Sequence, residues 1–356
     1  MRHGGHLFYD LPSEIWSRLA LYSSRDVLAR RYEQLHGREL NGGHARELNA
    51  HIVQAREYFD AAANAGALVK PLLQYYGVLA LARAIVMFRG RGRREATLTP
   101  SHGLKADWPS DASVGQVKLT FTNGAFRELL TATKNAQEFS ATYMPLADSS
   151  LLSSLPYSTP RTLVQHLSLP PSASECRLED LVARMPHLTD LFEAALHRPS
   201  RCYGCSVTIW SPDSHTNISI LRAPKHVSLD ELKIRLGLPS DAECREDGNS
   251  GIRMTVTHND LDSMFRRLPH FNSKGGALGS VIEPFIGGWH LSNLAAFFVS
   301  SFVLSTFVRY HPTKWALLAV GEKGDAFMPI LSRLTNLIQT EFPALTLNEL
   351  EREPTA

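Results

Sequence analysis

The 356-residue sequence predicts an α+β fold, predominantly helical, with helical N- and C-terminal parts packed together around a β-containing middle region. Three observations carry this reading. Apolar residues recur every three to four positions through residues 44–65, and they fill 72–88 and 291–310 almost continuously, as buried helices require. Runs that alternate at period two, such as Val117-Lys-Leu-Thr-Phe121 and Gly251-Ile-Arg-Met-Thr-Val-Thr257, lie between those ends. No internal repeat is present, so a solenoid is excluded.

The N-terminal part, 1–110, opens with a helix over 11–21, for which Ser13 is the expected N-cap, and a second helix from Ser24. Asn41-Gly-Gly43 is a turn. The helix over 44–65 places Leu48, Ile52, Ala55 and Phe59 on one face. Pro71 occupies a first-turn position, and 72–88 follow as a largely apolar helix. Arg89-Gly-Arg-Gly-Arg-Arg94 then alternates with glycine and reads as an exposed, flexible turn. A loop through Pro100, His102, Gly103 and Pro109 follows.

The middle part, 111–285, begins with the strand ending at Phe121, closed by Asn123-Gly124. Residues 149–174 are rich in serine, proline and leucine and form the expected connector, with a short helix over 162–167. Residues 178–196 read as one or two helices interrupted by Pro186. Cys205–Trp210 and Asn217–Leu221, joined by Ser-Pro-Asp-Ser, form a hairpin. Ser228 caps a short helix reaching Leu236, and 251–257 is another strand. The C-terminal part, 286–356, returns to helix over 291–310, 313–319 and 327–341.

Composition limits the classes of function. Hydrophobic content of 44% with 20% charged residues describes an ordinary globular protein of two or three subdomains. A net charge of +2 gives no global attraction to nucleic acid or an anionic membrane, so any such partner must meet a local patch. Cys176, Cys202, Cys205 and Cys244 are too few for a disulfide framework, and Met1-Arg-His-Gly-Gly-His-Leu-Phe8 lacks the apolar stretch of a signal peptide. A cytoplasmic location is expected. Residues 291–308 carry no formal charge, but Ser292, Asn293, Ser300, Ser301, Ser305 and Thr306 predict a buried bundle helix instead of a membrane span. No membrane partner is expected.

Four blocks carry a family resemblance. Glu57-Tyr-Phe-Asp-Ala-Ala62, Lys70-Pro-Leu-Leu-Gln-Tyr-Tyr-Gly77, Ser101-His-Gly-Leu104 and Val308-Arg-Tyr-His-Pro-Thr-Lys-Trp315 resemble, in this order, motifs of the bacterial YaaC-like proteins. They lie in the two helical ends, and the middle third carries none. The resemblance brings no assigned reaction or catalytic residue with it.

Candidate functional residues are the polar groups set in apolar helices. Arg83 lies within Leu79-Ala-Leu-Ala-Arg-Ala-Ile-Val-Met87, and Arg309 ends the long C-terminal apolar run. A guanidinium packed at a core needs a carboxylate, a helix C-terminus or a bound anion. A salt bridge or carbonyl cap is one reading. The other is an anion or phosphate site built from Arg83 and Arg309 with His102 or His311, next to Tyr76, whose ring, like those of Tyr75 and Tyr310, is of the kind that stacks on a base or fills a core. Arg89, Arg91, Arg93 and Arg94 would suit backbone phosphates or an acidic partner. The leading expectation is therefore a binding or effector protein for an anionic ligand, a nucleotide or RNA.

The helical ends also invite comparison with HEPN ribonucleases. In those proteins an arginine is followed four to six residues later by a histidine, the first holding phosphate and the second handling the 2′-hydroxyl proton. Arg46 and His51 have that spacing on a predicted helix, as do Arg31 and His36. Arg161…His166 and Arg253…His258 repeat the spacing elsewhere, as chance allows in a chain rich in both residues. A third expectation is a non-enzymatic interaction protein of a bacterial multi-gene system, with a protein partner or as a homodimer. Cys202-Tyr-Gly-Cys205 has zinc-knuckle spacing without a second close pair, so no metal is expected. Gly275-Gly-Ala-Leu-Gly279 lacks the Gly-Lys-Ser/Thr of a phosphate loop. Glu322 and Asp325 read as turn residues. No cofactor is implied.

Overall fold

The computed structural model describes residues 12–109, 112–143, 159–210, 214–221, 227–248, 251–272, 278–321 and 326–353. In chain order the elements are α1 (Pro12–Leu21), α2 (Arg25–His36), α3 (Gly42–Asn64), α4 (Lys70–Arg89), β1 (His102–Asp107), β2 (Lys118–Gly124), α5 (Ala125–Thr133), β3 (Ala136–Tyr143), β4 (Thr159–His166), β5 (Glu175–Arg177), α6 (Leu178–Val182) and α7 (Thr189–Leu196). There follow β6 (Cys202–Ile209), β7 (His215–Ile220), α8 (Leu229–Arg235), β8 (Glu243–Asp247), β9 (Gly251–Thr257), α9 (Leu261–Arg267), β10 (His270–Asn272), β11 (Leu278–Ile282), α10 (Asn293–Tyr310), α11 (Pro312–Ala319) and α12 (Met328–Glu351). The chain is α+β and predominantly helical, as the sequence predicts. It divides into a helical unit (12–135, 169–181 and 291–353) and a sheet unit (136–168 and 182–290).

In the helical unit the two chain ends share one core. The α3 helix starts where the Asn41 side chain accepts the His44 N–H at 2.8 Å. Pro71 sits in the first turn of α4, where its missing N–H costs nothing. Gly77 of α4 lies against α3 so closely that a Cβ there would come within 2.7 Å of the Phe59 ring. Against α12, Gln74 donates from Nε2 to the Thr335 carbonyl and to Gln339 Oε1, each at 2.9 Å. Gln339 in turn donates to the Phe59 carbonyl. The α4 and α10 helices are long and apolar enough to cross a membrane, yet 78% of each span is buried inside the protein. The polar load of α10 is satisfied within the helix, because Ser300, Ser301, Ser305 and Thr306 donate to carbonyls three or four residues back. The antiparallel sheet β1-β2-β5 completes the unit.

The sheet unit is built on the order β10-β11-β6-β7-β9-β8. In addition, β3 joins β6 in parallel and pairs with β4 in antiparallel. Alternate residues Cys205, Val207 and Ile209 of β6, Ile218 and Ile220 of β7, and Ile252, Met254 and Val256 of β9 form one apolar face. Leu232 and Met264, from α8 and α9, belong to the same core. The edge strand β8 reads Glu-Cys-Arg-Glu-Asp, a charged sequence unsuited to further strand pairing.

The structure differs from the sequence reading at several elements. Residues 162–167, expected as a short helix, lie largely in β4, paired with β3 from Ala136↔His166 to Tyr143↔Thr159. Long-range pairing overrides a weak local helix signal there. The stretch expected as loop around His102 is β1, whose alternation is interrupted by a register shift between His102 and Leu104. The α1 helix begins at Pro12, so Ser13 is inside it, whereas Ser228 caps α8 by accepting the Glu231 N–H as expected. The α12 helix continues through Pro343 to Glu351. The boundary between units falls at 135/136 rather than 110/111, because β1, β2 and α5 belong with the helices. Much of the expected connector, the tip of the β6–β7 hairpin, most of the Gly275–Gly279 stretch, Glu322 and Asp325 lie outside the described residues.

Candidate anion site of the helical unit

The site is organised around Tyr75 of α4, which has no solvent exposure. Its hydroxyl shares a 2.6 Å hydrogen bond with His102 Nδ1, and its ring meets Phe298 and Phe302 of α10 edge-on. His102 is held there by unusual backbone. Gly103 (φ +78°) and Gly124 (φ +149°) cross so closely that a Cβ on Gly124 would lie 2.4 Å from the Gly103 nitrogen. Ser101 fixes the same crossing, accepting the Ala125 N–H at its carbonyl and donating from Oγ to the Asn123 carbonyl. The Ser-His-Gly-Leu block is thus a device that sets one imidazole against one tyrosine.

The charges of two guanidinium groups act on this pair. Arg309, in the last turn of α10, lies over the Tyr75 ring at 5.6 Å and the Tyr310 ring at 5.0 Å. It donates to the carbonyl and hydroxyl of its own Ser305, the carbonyl cap foreseen for a helix-ending arginine. The Arg83 side chain makes no hydrogen bond to any described residue, and its Nε is buried without a partner. Among the described residues neither arginine has a carboxylate in ion-pair range. Burial, then the Arg309 and Arg83 charges, hold the His102 imidazole below its ordinary value and keep it neutral. Burial raises the Tyr75 phenol, against the pull of the same two arginines. In the tautomer in which Tyr75 donates to Nδ1, neutral His102 carries its proton on Nε2 and offers a donor there.

His51 of α3 belongs to the same neighbourhood. It is buried, and neither ring nitrogen has a hydrogen-bond partner. Burial lowers its pKa, Glu95 (4.0 Å from Nε2) opposes this, and Arg83 lowers it further. Sequence reading paired His51 with Arg46, but Arg46 is exposed while His51 faces the core. Five residues of helix separate them by about 140° around the axis, so the spacing does not bring them together. The other pair on α2 is likewise split: Arg31 bonds Gln34, and His36 Nε2 lies 2.8 Å from the Phe88 carbonyl. The signal that marks His51 is its position beside Leu48, Ile52 and Ala55 in the apolar stripe of α3.

The remaining candidates have other partners. Arg89 is largely buried and bonds the Glu349 and Arg352 carbonyls, with its Nε 3.7 Å from the Glu349 carboxylate. Arg93 pairs with Glu128, and Arg94 donates from Nε to Glu47 at 2.9 Å. The Arg94 hydrogen bonds hold the Glu47 carboxyl down to about 2. Glu47 also accepts the Glu95 N–H, and Glu128 accepts from Thr99. The expected free basic turn is therefore a clamp that ties the chain leading to His102. Only Arg91 of the four is exposed without an ion pair. His311 lies apart from the cluster, its ring edge-on to Trp108 at 5.4 Å, and burial with Lys314 lowers its pKa against Asp107. Tyr76 packs on Tyr58, ring centroids 5.5 Å apart. In the sheet unit, Cys202 and Cys205 are three apart on β6 and so point to opposite faces, unlike a zinc knuckle. Burial pushes the Cys205 thiol up to about 12.

Fold and cluster together define an α+β protein whose helical unit holds two arginines without carboxylate partners around a tyrosine–histidine pair. The chain belongs to the YaaC-like protein family, whose model matches residues 20–350. No curated protein and no solved structure matches it.

Proposed function

We propose that this protein binds a phosphate-bearing anionic ligand, a nucleotide or RNA, at Arg83 and Arg309 and acts as a binding or effector protein. The observation that carries the reading is the pair of guanidinium groups left without carboxylates in a chain where Arg89, Arg93 and Arg94 all have one. A buried donor without a partner is costly, and a bound oxyanion satisfies it. The Tyr75 and Tyr310 rings hold the Arg309 guanidinium in place while leaving donors for an anion. His102 adds a neutral donor, and the bound charge would favour its protonation, which strengthens the contact. A cytoplasmic setting accords with the four free cysteines.

The test is isothermal titration of the protein with inorganic pyrophosphate, comparing wild type with Arg83→Gln and Arg309→Gln. Each charged hydrogen-bonding group contributes about 1.5–3 kcal/mol, so each substitution should weaken binding roughly tenfold or more. No binding by the wild type, or variants that bind as tightly as the wild type, would overturn the reading.

A further inference from the structure

We infer that the ligand is a single nucleotide, bound with its phosphates on Arg83 and Arg309 and its base on the Tyr76 ring. This rests on the phosphate reading above and adds two observations to it. The first is the aromatic ledge. Tyr76 is a large ring left 36% exposed, and Tyr58 backs it at 5.5 Å with 30° between the planes. Tyr76 and Arg83 are seven residues apart on α4, so they share a face and are separated by about 10 Å of helix rise. That is the reach of a nucleoside diphosphate from base to terminal phosphate. The Tyr76 ring and the Arg309 guanidinium also lie against the same residue, 6.1 Å and 5.6 Å from the Tyr75 ring centre. Tyr310 is the more exposed ring, but Arg309 already covers it.

The second observation separates one nucleotide from a strand. A protein that tracks a nucleic-acid backbone needs a row of free cations. Here the arginines that would extend the row, Arg89, Arg93 and Arg94, are committed to Glu349, Glu128 and Glu47. Of that row only Arg91 is uncommitted, and one cation is no row; what remains is a two-arginine, one-histidine cluster beside one backed aromatic ring, which suits one diphosphate and one base.

The experiment titrates the full chain with pyrophosphate, adenosine and uridine diphosphates, and a short single-stranded RNA. Base stacking is sequence-tolerant and contributes about 1–3 kcal/mol, so the diphosphates should bind roughly 5- to 150-fold tighter than pyrophosphate. Tyr76→Leu should abolish that margin and leave pyrophosphate affinity unchanged, while Tyr76→Phe should keep it. The inference is overturned by equal affinity for pyrophosphate and nucleotide, by Tyr76→Leu weakening both alike, or by RNA binding tighter than the diphosphates with a steep salt dependence. Failure of pyrophosphate and every nucleotide to bind would instead remove the phosphate reading beneath it.

Discussion

Arg83 and Arg89 lie six residues apart on one helix, and replacing each by methionine should shift stability in opposite directions. Arg83 has a buried Nε without a partner, and it shares its surroundings with a second uncompensated cation, Arg309. An unmade buried hydrogen bond costs about 1–3 kcal/mol, and methionine fills similar space without a donor. Solvent near the outer guanidinium nitrogens reduces the penalty, so Arg83→Met should stabilise the ligand-free protein by about 1 kcal/mol. For a unit of this size that is a Tm increase of roughly 2–4 °C. Arg89 is the reverse case. Its side chain and that of Glu349 are 10% and 9% exposed, and it also bonds two carbonyls at the end of α12. Removing one partner of a buried pair costs about 3–5 kcal/mol. Arg352, 2.7 Å from the Glu349 carboxylate, compensates in part. Arg89→Met should therefore lose about 3 kcal/mol. Calorimetric melts in phosphate-free buffer decide the matter, and pyrophosphate should then raise the Tm of wild type by more than that of Arg83→Met. If Arg83→Met melts below wild type by as much as Arg89→Met, Arg83 is a structural arginine and the argument for an anion site fails.

Two further outcomes follow from the packing. Gly77→Ala would place a Cβ within 2.7–2.8 Å of the Phe59 ring, so despite alanine's helix propensity it should lower stability by about 1–3 kcal/mol; a Tm above wild type would show that α3 and α4 do not need this close approach. In the sheet unit, burial and the Arg184 charge hold His290 down to about 4, and burial followed by the His290 charge holds His270 well below 6.5. The unfolded chain therefore binds these protons more tightly, so stability is complete above pH 6.5 and falls as the pH drops toward 4. His270→Phe should flatten that fall in a pH series of melts, and an unchanged slope would refute it.

Local pattern carried the helices of this protein because their burial is written within a few turns. The α4 and α10 helices are apolar on nearly every side, and the serines and threonine of α10 are satisfied by carbonyls of the same helix. The sheet was less legible. β4 owes its state to residues distant in sequence: Gln165 lies opposite Gln137 of β3 and donates to the Pro269 carbonyl. Nothing within 159–166 specifies that pairing, and its composition is compatible with a helical turn. β1 was obscured for a different reason: Gly103 and the register shift break the alternation that marks a strand, and the same break sets His102 against Tyr75.

The site shows what kind of information a sequence withholds. Arginines at 83, 89, 93, 94 and 309 have the same side chain. What separates them is the location of Glu349, Glu128 and Glu47, which are 260, 35 and 47 residues away from the arginines they neutralise. Whether an arginine is free is therefore a property of the tertiary arrangement of carboxylates, and a basic run such as Arg-Gly-Arg-Gly-Arg-Arg overstates the charge available to a ligand. The apolar neighbourhood of Arg83 and Arg309 was the better indicator, since a core helix offers few carboxylates and a cation kept there needs another source of negative charge. The same reasoning separates His51 from Arg46. Spacing along a helix fixes the angle between two side chains, and at five residues that angle turns one into the core and leaves the other in water.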